Sequence, residues 1–150
     1  MRTVLIVVGV LVLMAWLAVA GSSIYGLVIT NRMSQAAGPL VTHLGYAWDA
    51  DSWKEHWMFH NSYTLICGLL GCLGAILLVR LKPIGFLIEA IASLLWFLLP
   101  YGLAIFGLRR FGYEFVRFGS NVQLLGLFIA FTVGYLVITR RVRAADAQKS

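Results

Sequence analysis

Two histidines four residues apart, His56 and His60, lie where a polar segment of the chain turns into an apolar one. On a helix this spacing places both imidazoles on one face, where they can converge on a single metal ion. The residues that could complete a ligand shell lie just upstream, and they are His43, Asp49 and Asp51. Imidazoles also suit a membrane interface, because they combine an apolar ring with a polar edge. Metal binding, contact with a quinone or lipid head group, and a structural role therefore all remain open.

Glu89 is the second candidate, because it lies inside a long apolar stretch. Counted from Pro83, it is about 9 Å along a helix. Acidic side chains at such depth in a membrane are costly, so they usually have a partner or a function. Expected partners are two cations on the inner side and three hydroxyl groups in the last apolar stretch. These residues are Arg80, Lys82, Thr132, Tyr135 and Thr139. A salt-bridged anchor and a proton or ion relay are both open.

A capping box predicts where the helix that carries the histidines begins. Ser52 is followed three residues later by Glu55, the spacing of this motif, so the helix is expected to start at Trp53. Trp53 and Trp57 would then lie at the level of the lipid head groups, where tryptophan is enriched.

The composition places the chain in the membrane class. Of its 150 residues, 61% are hydrophobic and only 12% are charged. A soluble domain of this size needs more polar surface than these charges supply, so the excess apolar surface is expected to face lipid. Crossing a bilayer core takes about 20 apolar residues. Four stretches are candidates: 4–29, 58–79, 84–108 and 122–139.

The first stretch is interpreted as an uncleaved span. Ala18–Ala20 resembles a signal-peptide cleavage site, but the apolar run continues to Ile29, beyond the length of a signal-peptide core. Basic residues near the span ends favour both termini inside, because seven of the 12 lie on that side.

The connections between these spans are unequal. A tight inner hairpin covers residues 80–83, and a polar tail covers 140–150, whereas the outer loops cover 30–57 and 109–121. Side chains alternate with a period of two over Leu40–Trp48 and Phe111–Phe115, which is typical of strands. We expect an aromatic-rich extracytoplasmic cap that either pairs as a short β-sheet or lies in the membrane interface.

Two sets of residues suit contacts with helices, lipids or partners. Small residues spaced by four let membrane helices approach closely, either within one bundle or between proteins. In the last span they are Gly126, Ala130 and Gly134. Lipid head groups or an acidic partner would suit basic and aromatic residues near the outer side. These are Arg109, Arg110, Arg117, Trp53 and Trp57.

Together these patterns predict an all-α, four-transmembrane-helix bundle that forms a single membrane domain over residues 1–150. The expected location is a bacterial inner membrane or a plasma membrane. The net charge of +6 suits anionic lipid head groups, and no nucleic-acid partner is expected.

The sequence contains no phosphate-binding glycine loop, nucleophile–base pair or zinc motif, and it names no cofactor. We therefore favour a non-catalytic subunit that assembles with other membrane proteins or with copies of itself. One alternative is a redox, metal-binding or quinone-binding component that uses His56 and His60. Another is a small oligomeric transporter or channel that uses Glu89.

Overall fold

The chain folds into four consecutive helices in the computed structural model, which describes residues 2–43, 49–105 and 118–147. Side chains are described for 2–39, 41–43, 49–99 and 123–141. Helix α1 is Arg2–His43, α2 is Ala50–Val79, α3 is Ile84–Ile105 and α4 is Phe118–Ala147. Every regular element in these ranges is a helix, which confirms the all-α prediction.

Three helices are long and apolar enough to cross a membrane: α1, α2 and the Gln123–Arg141 part of α4. In α3 the described apolar stretch, Ile84–Leu99, is shorter. Large apolar side chains cover the outward faces, with Leu11 and Met14 of α1 62% and 64% exposed. Extended apolar surfaces of this kind are typical of helices that pack against lipid.

Helices α1 and α2 form an antiparallel pair along a seam with a seven-residue period. Buried positions on α2 alternate three and four residues apart, as in a coiled coil. They are Asn61, Thr64, Gly68, Gly71, Ala75 and Leu78. Buried positions on α1 follow a similar repeat, and they are Gly9, Trp16, Ala20, Ser23, Thr30 and Ser34. Because most of these residues are small, the two backbones approach closely.

Helix α3 completes the core and α4 packs outside it. One buried cluster joins α1, α2 and α3 through Trp16, Cys67 and Ala92. A second cluster joins α2 and α3 to Phe131 of α4. The first three helices therefore enclose most of the interior, and α4 covers one side.

Helix α2 ends in a tight turn at residues 80–83. The backbone N–H of Leu81 donates to Leu78 over 2.9 Å, and that of Lys82 donates to Leu77 over 2.8 Å. This is the pattern of a Schellman motif. Leu81 has φ 58°, the left-handed conformation in which glycine is the usual residue. The turn fixes the position of α3 against α2.

The predicted outer loop over 30–57 is wrong, because helix covers 30–43 and 50–57. Residues 40–43 of the predicted strand are the last turn of α1, while 44–48 and 109–117 lie outside the described residues. The physical reason is the seam: Thr30 and Ser34 are buried polar residues that continue the contact with α2 beyond the apolar stretch. The predicted polar tail is also helical, as far as Ala147.

The start of α2 differs from the prediction as well. The N-cap is Asp49 and not Ser52, since the backbone N–H of Ser52 donates to Oδ1 of Asp49 over 3.1 Å. The Ser52 hydroxyl donates to Oδ2 of the same carboxylate over 2.6 Å. A carboxylate at this position also interacts favourably with the helix dipole. The helix therefore begins at Ala50, before Trp53.

Candidate functional site

Helix α3 carries two polar side chains one turn apart, Glu89 and Ser93, that are both 0% exposed. The four-residue spacing places them on the same face of the helix. Space for the carboxyl group exists because Gly74 of α2 lies opposite. A Cβ atom on Gly74 would lie 2.9 Å from Oε1 of Glu89. Gly85 also lies against the α2 backbone at Gly74, so the two helices are close together at this level.

Trp16 of α1 holds the same carboxyl group from another side. Its indole Nε1 donates a hydrogen bond of 2.7 Å to Oε2 of Glu89, and both groups are buried. The indole ring occupies the space beside Gly71 of α2 that any larger residue would fill. Three helices therefore build the site: α1 supplies the donor, α2 the space and α3 the carboxyl group.

The Trp16–Glu89–Ser93 cluster retains unused hydrogen-bonding capacity. Oε1 of Glu89 and Oγ of Ser93 have no hydrogen-bond partner within the described part of the chain. Burying such an atom unpaired costs about 1–3 kcal/mol. These two oxygens are therefore available to a small polar species such as a proton or a water molecule.

The expected cationic partners of Glu89 are wrong. Arg80 and Lys82 are exposed in the turn after α2, whereas Glu89 is fully buried. The carboxyl group is bonded by Trp16 instead, because α1 packs into the angle between α2 and α3 at this level.

The expected threonine donors also bond elsewhere. Thr132 donates to the carbonyl of Phe128, and Thr139 donates to that of Tyr135, each over 2.7 Å. Bonding to a carbonyl one turn back is common for threonine in helices. Neither hydroxyl group is therefore used for the carboxyl group of Glu89.

A polar groove lies next to a pair of tryptophans, Trp16 and Trp96. The rings of Trp16 and Trp96 are 5.5 Å apart and tilted by 46°. Trp96 lines a groove of about 500 Å³ between α1, α2 and α3. The other lining residues are Ala18, Val19, Ser22, Ser23, His60, Asn61 and Thr64. None of these described lining residues is acidic, and none is a lysine or arginine.

Hydroxyl groups in the groove are held by their own helices. Ser22 and Ser23 both donate to the carbonyl of Val19 over 2.8 Å. Across the seam, the hydroxyl oxygens of Ser23 and Thr64 are 2.8 Å apart. The hydroxyl protons of these residues are therefore largely used in bonds within the protein, while their oxygen atoms can still accept hydrogen bonds.

Asn61 differs from these hydroxyl groups. Its side chain packs against Gly26 of α1 and is 8% exposed. The residue lines the groove. Its carboxamide therefore brings both donors and an acceptor to the groove.

Both histidine rings lie against the ring of Trp57. The centroid of the Trp57 ring is 5.6 Å from that of His56 and 5.3 Å from that of His60, and both contacts are edge-on. His56 is fully buried, and His60 lines the groove. Trp57 also lies 6.0 Å from Trp53, so these predicted interface residues pack on one another.

The predicted metal site is not assembled. In the described ranges no group of three or more His, Cys, Asp or Glu side chains could hold a metal ion. His43 is exposed at the end of α1, and Asp49 caps α2. Asp51 lies in the first turn of α2. The described residues therefore do not gather these side chains around His56 and His60, and metal binding stays a prediction.

The small-residue face of α4 divides into two parts. Gly134 lies against Phe86 of α3, where a Cβ atom would be 3.0 Å from the ring. Gly126 has open space around it, and Ala130 is exposed. Gly134 therefore serves packing within the bundle, whereas the other two lie on an outer surface. The predicted arginine contacts, Arg109, Arg110 and Arg117, lie outside the described residues.

Sequence reasoning identified Glu89 but missed Trp16, Gly74 and Ser93. A signal for Trp16 does exist. Small or polar residues recur every seven positions along α1, and Trp16 occupies one of those positions. This repeat marks the face of α1 that packs on α2, but it does not show that the indole reaches Glu89 on α3.

Comparisons with known proteins assign no family to the chain. No protein-family model matches it, and no curated protein or solved structure is significantly similar to it.

Proposed function

We propose that the chain is a four-span membrane protein, with both termini inside, that exchanges a proton at Glu89 as a small transporter or channel. One observation carries this proposal. Glu89 is 0% exposed within an apolar bundle, and its one hydrogen bond from a described residue comes from a neutral indole. Carboxyl groups buried without a cation are costly in membranes and are common in proton relays.

A proton fits the available atoms better than a metal ion does. Calcium takes about six to eight oxygen ligands and magnesium about six. The cluster offers two unused oxygens within the described residues, one each from Glu89 and Ser93. A proton needs a single lone pair, so it is the cation that this site can hold.

The surroundings of Glu89 support exchange with both sides of the bundle. The groove of about 500 Å³ reaches Trp96, whose ring contacts Trp16. Toward the turn after α2, a cavity of about 100 Å³ is lined by Leu78, Lys82 and Phe86, among others. Phe86 lies one turn from Glu89 on α3. Rearrangement of Trp16 would connect the carboxyl group to the polar groove, and rearrangement of Phe86 would connect it to this largely apolar cavity beside Lys82.

Proton flux into liposomes tests this proposal. Purified protein would be reconstituted around a pH-sensitive dye, and an imposed membrane potential would drive proton entry. Glu89→Gln should abolish the flux, because the amide keeps the shape and can still accept from Trp16 but takes up no proton. The matched control is Glu55→Gln, at an exposed carboxylate near the start of α2, which should leave the flux unchanged.

Loss of flux in both variants, or in neither, would contradict a specific role for Glu89. Far-ultraviolet circular dichroism and the elution volume of each variant would show that the comparison is between folded proteins.

The subunit hypothesis is the second candidate, and the exposed part of the α4 face favours it. Gly126 and Ala130 are small and open to the surroundings, so another membrane helix could approach closely there. Partners on this surface would be other membrane proteins or a second copy of the chain. The two proposals are compatible, since α4 contributes no residue to the Trp16–Glu89–Ser93 cluster.

A further inference from the structure

The groove between α1, α2 and α3 has the features of a ligand site that is separate from Glu89. Its volume of about 500 Å³ lies within the usual range for small-molecule sites, about 300–1,000 Å³. Asn61 is more than nine-tenths buried, and it lines the groove. Its amide can therefore donate to a ligand in the groove.

The chemistry of the lining restricts that partner. No acidic, lysine or arginine side chain is among the described lining residues, which favours an uncharged ligand. Ser22 and Ser23 direct their hydroxyl protons to a backbone carbonyl, whereas Asn61 carries an amide that can donate. The ligand should therefore offer a hydrogen-bond acceptor to Asn61. The indole of Trp96 provides an aromatic surface on which a flat ring can stack.

Position along the helices adds a third restriction. The groove begins at Ala18 and ends near Ser23 on α1, inside the stretch apolar enough to cross a membrane. A ligand at this level is expected to enter from the lipid phase and to carry an apolar part.

We propose that this groove binds the ring of a quinone, an uncharged, membrane-soluble compound with carbonyl acceptors. One carbonyl accepts from the Asn61 amide, and the ring stacks on Trp96. The hydroxyl oxygens of Ser22 and Ser23 face the same space as acceptors, which also suits the hydroxyl groups of the reduced form. The proposal concerns binding alone, and it does not depend on proton exchange at Glu89.

Tryptophan fluorescence in phosphatidylcholine nanodiscs tests the proposal, with decylubiquinone as the probe. Wild-type protein should show saturable quenching, because Trp96 lines the site. Asn61→Leu removes the donor at similar size and should weaken binding about tenfold. Ser22→Phe places a bulky ring in the groove from an exposed position and should abolish saturable binding.

Asn31→Leu is the matched control, because it makes the same change at an exposed position of α1 that does not line the groove. Binding to this variant should equal that of the wild type. Quenching that does not saturate, or that is equal in all variants, would reflect partition of the quinone into lipid and would overturn the proposal. Displacement of the probe by monoolein at equal concentration would assign the groove to a neutral lipid, which also overturns it.

Discussion

The candidate site depends on a single side-chain contact, the hydrogen bond from Trp16 to Glu89. The two residues are 73 positions apart, so the bond exists only when the bundle is assembled. Trp16→Phe keeps an aromatic ring but removes the donor, leaving a second carboxyl oxygen unpaired. We expect the free energy of unfolding in mixed detergent micelles to fall by about 1–3 kcal/mol.

A double-mutant cycle separates this bond from the loss of ring volume. With Glu89→Leu already present, Trp16→Phe should cost less, by a coupling energy of about 1 kcal/mol or more. Trp53→Phe, at the start of α2 and far from Glu89, should show no such coupling. If the effects of Trp16→Phe and Glu89→Leu are additive, the bond contributes nothing to stability.

Ser93 allows the opposite prediction, because its buried hydroxyl has no hydrogen-bond partner among the described residues. Ser93→Ala should raise the free energy of unfolding by up to about 1 kcal/mol, since the unpaired group is removed from the interior. Ser34→Ala is the control, because the Ser34 hydroxyl donates to the carbonyl of Asn31 over 2.9 Å. A loss of stability in Ser93→Ala would show that the hydroxyl is hydrogen-bonded in the folded protein.

At the element scale, the start of α2 gives a test between two capping arrangements. Asp49→Ala removes the acceptor for both the backbone N–H and the hydroxyl of Ser52, so stability should fall by about 1 kcal/mol. Ser52→Ala removes only the hydroxyl bond and should cost less, whereas the capping box would give the reverse order. Chemical unfolding of both variants, with Asp49→Asn as the conservative replacement, decides between them.

Contact between α1 and α2 supports a second prediction at this scale. Gly71→Ala places a methyl group where the Trp16 ring lies, so the ring must move and its bond to Glu89 is strained. Overpacking of this kind typically costs about 1–3 kcal/mol. Gly21→Ala is the control, because Gly21 has no neighbouring atom within 4 Å. A shift of the tryptophan emission in Gly71→Ala but not in Gly21→Ala would locate the change at Trp16.

How far the sequence predicts these elements depends on the physical signal that each one carries. Long apolar runs indicate the central parts of the helices, because a membrane span needs continuous apolar residues. The polar end of α1 gives no such signal, since Thr30 and Ser34 are held by packing against α2. Glu89 is visible as an acid in an apolar run, but Trp16 is not visible as its partner. That contact is set by the crossing of three helices and not by spacing along the chain.

At the scale of the whole molecule, the helices have unequal roles. Helices α1, α2 and α3 build both the Trp16–Glu89–Ser93 cluster and the groove, whereas α4 packs on one side. Only 6% of the apolar window of α4 is buried inside the bundle, against 44% for α2. An outer surface of α4 is therefore available for lipid, for a second copy of the chain or for another membrane protein.

Three glycine substitutions distinguish these occupants of α4. Gly126→Leu fills open space on the outer surface and should dissociate an assembled complex without unfolding the bundle. Gly134→Leu enters the contact with Phe86 and should lower stability whether or not a partner exists. Gly21→Leu makes the same change on an open surface of α1 and should preserve the complex. Native mass spectrometry after gentle extraction measures all three. A single-chain mass for the wild type would argue against the subunit hypothesis. Loss of the complex in Gly21→Leu but not in Gly126→Leu would show that the partner contacts α1 and not α4.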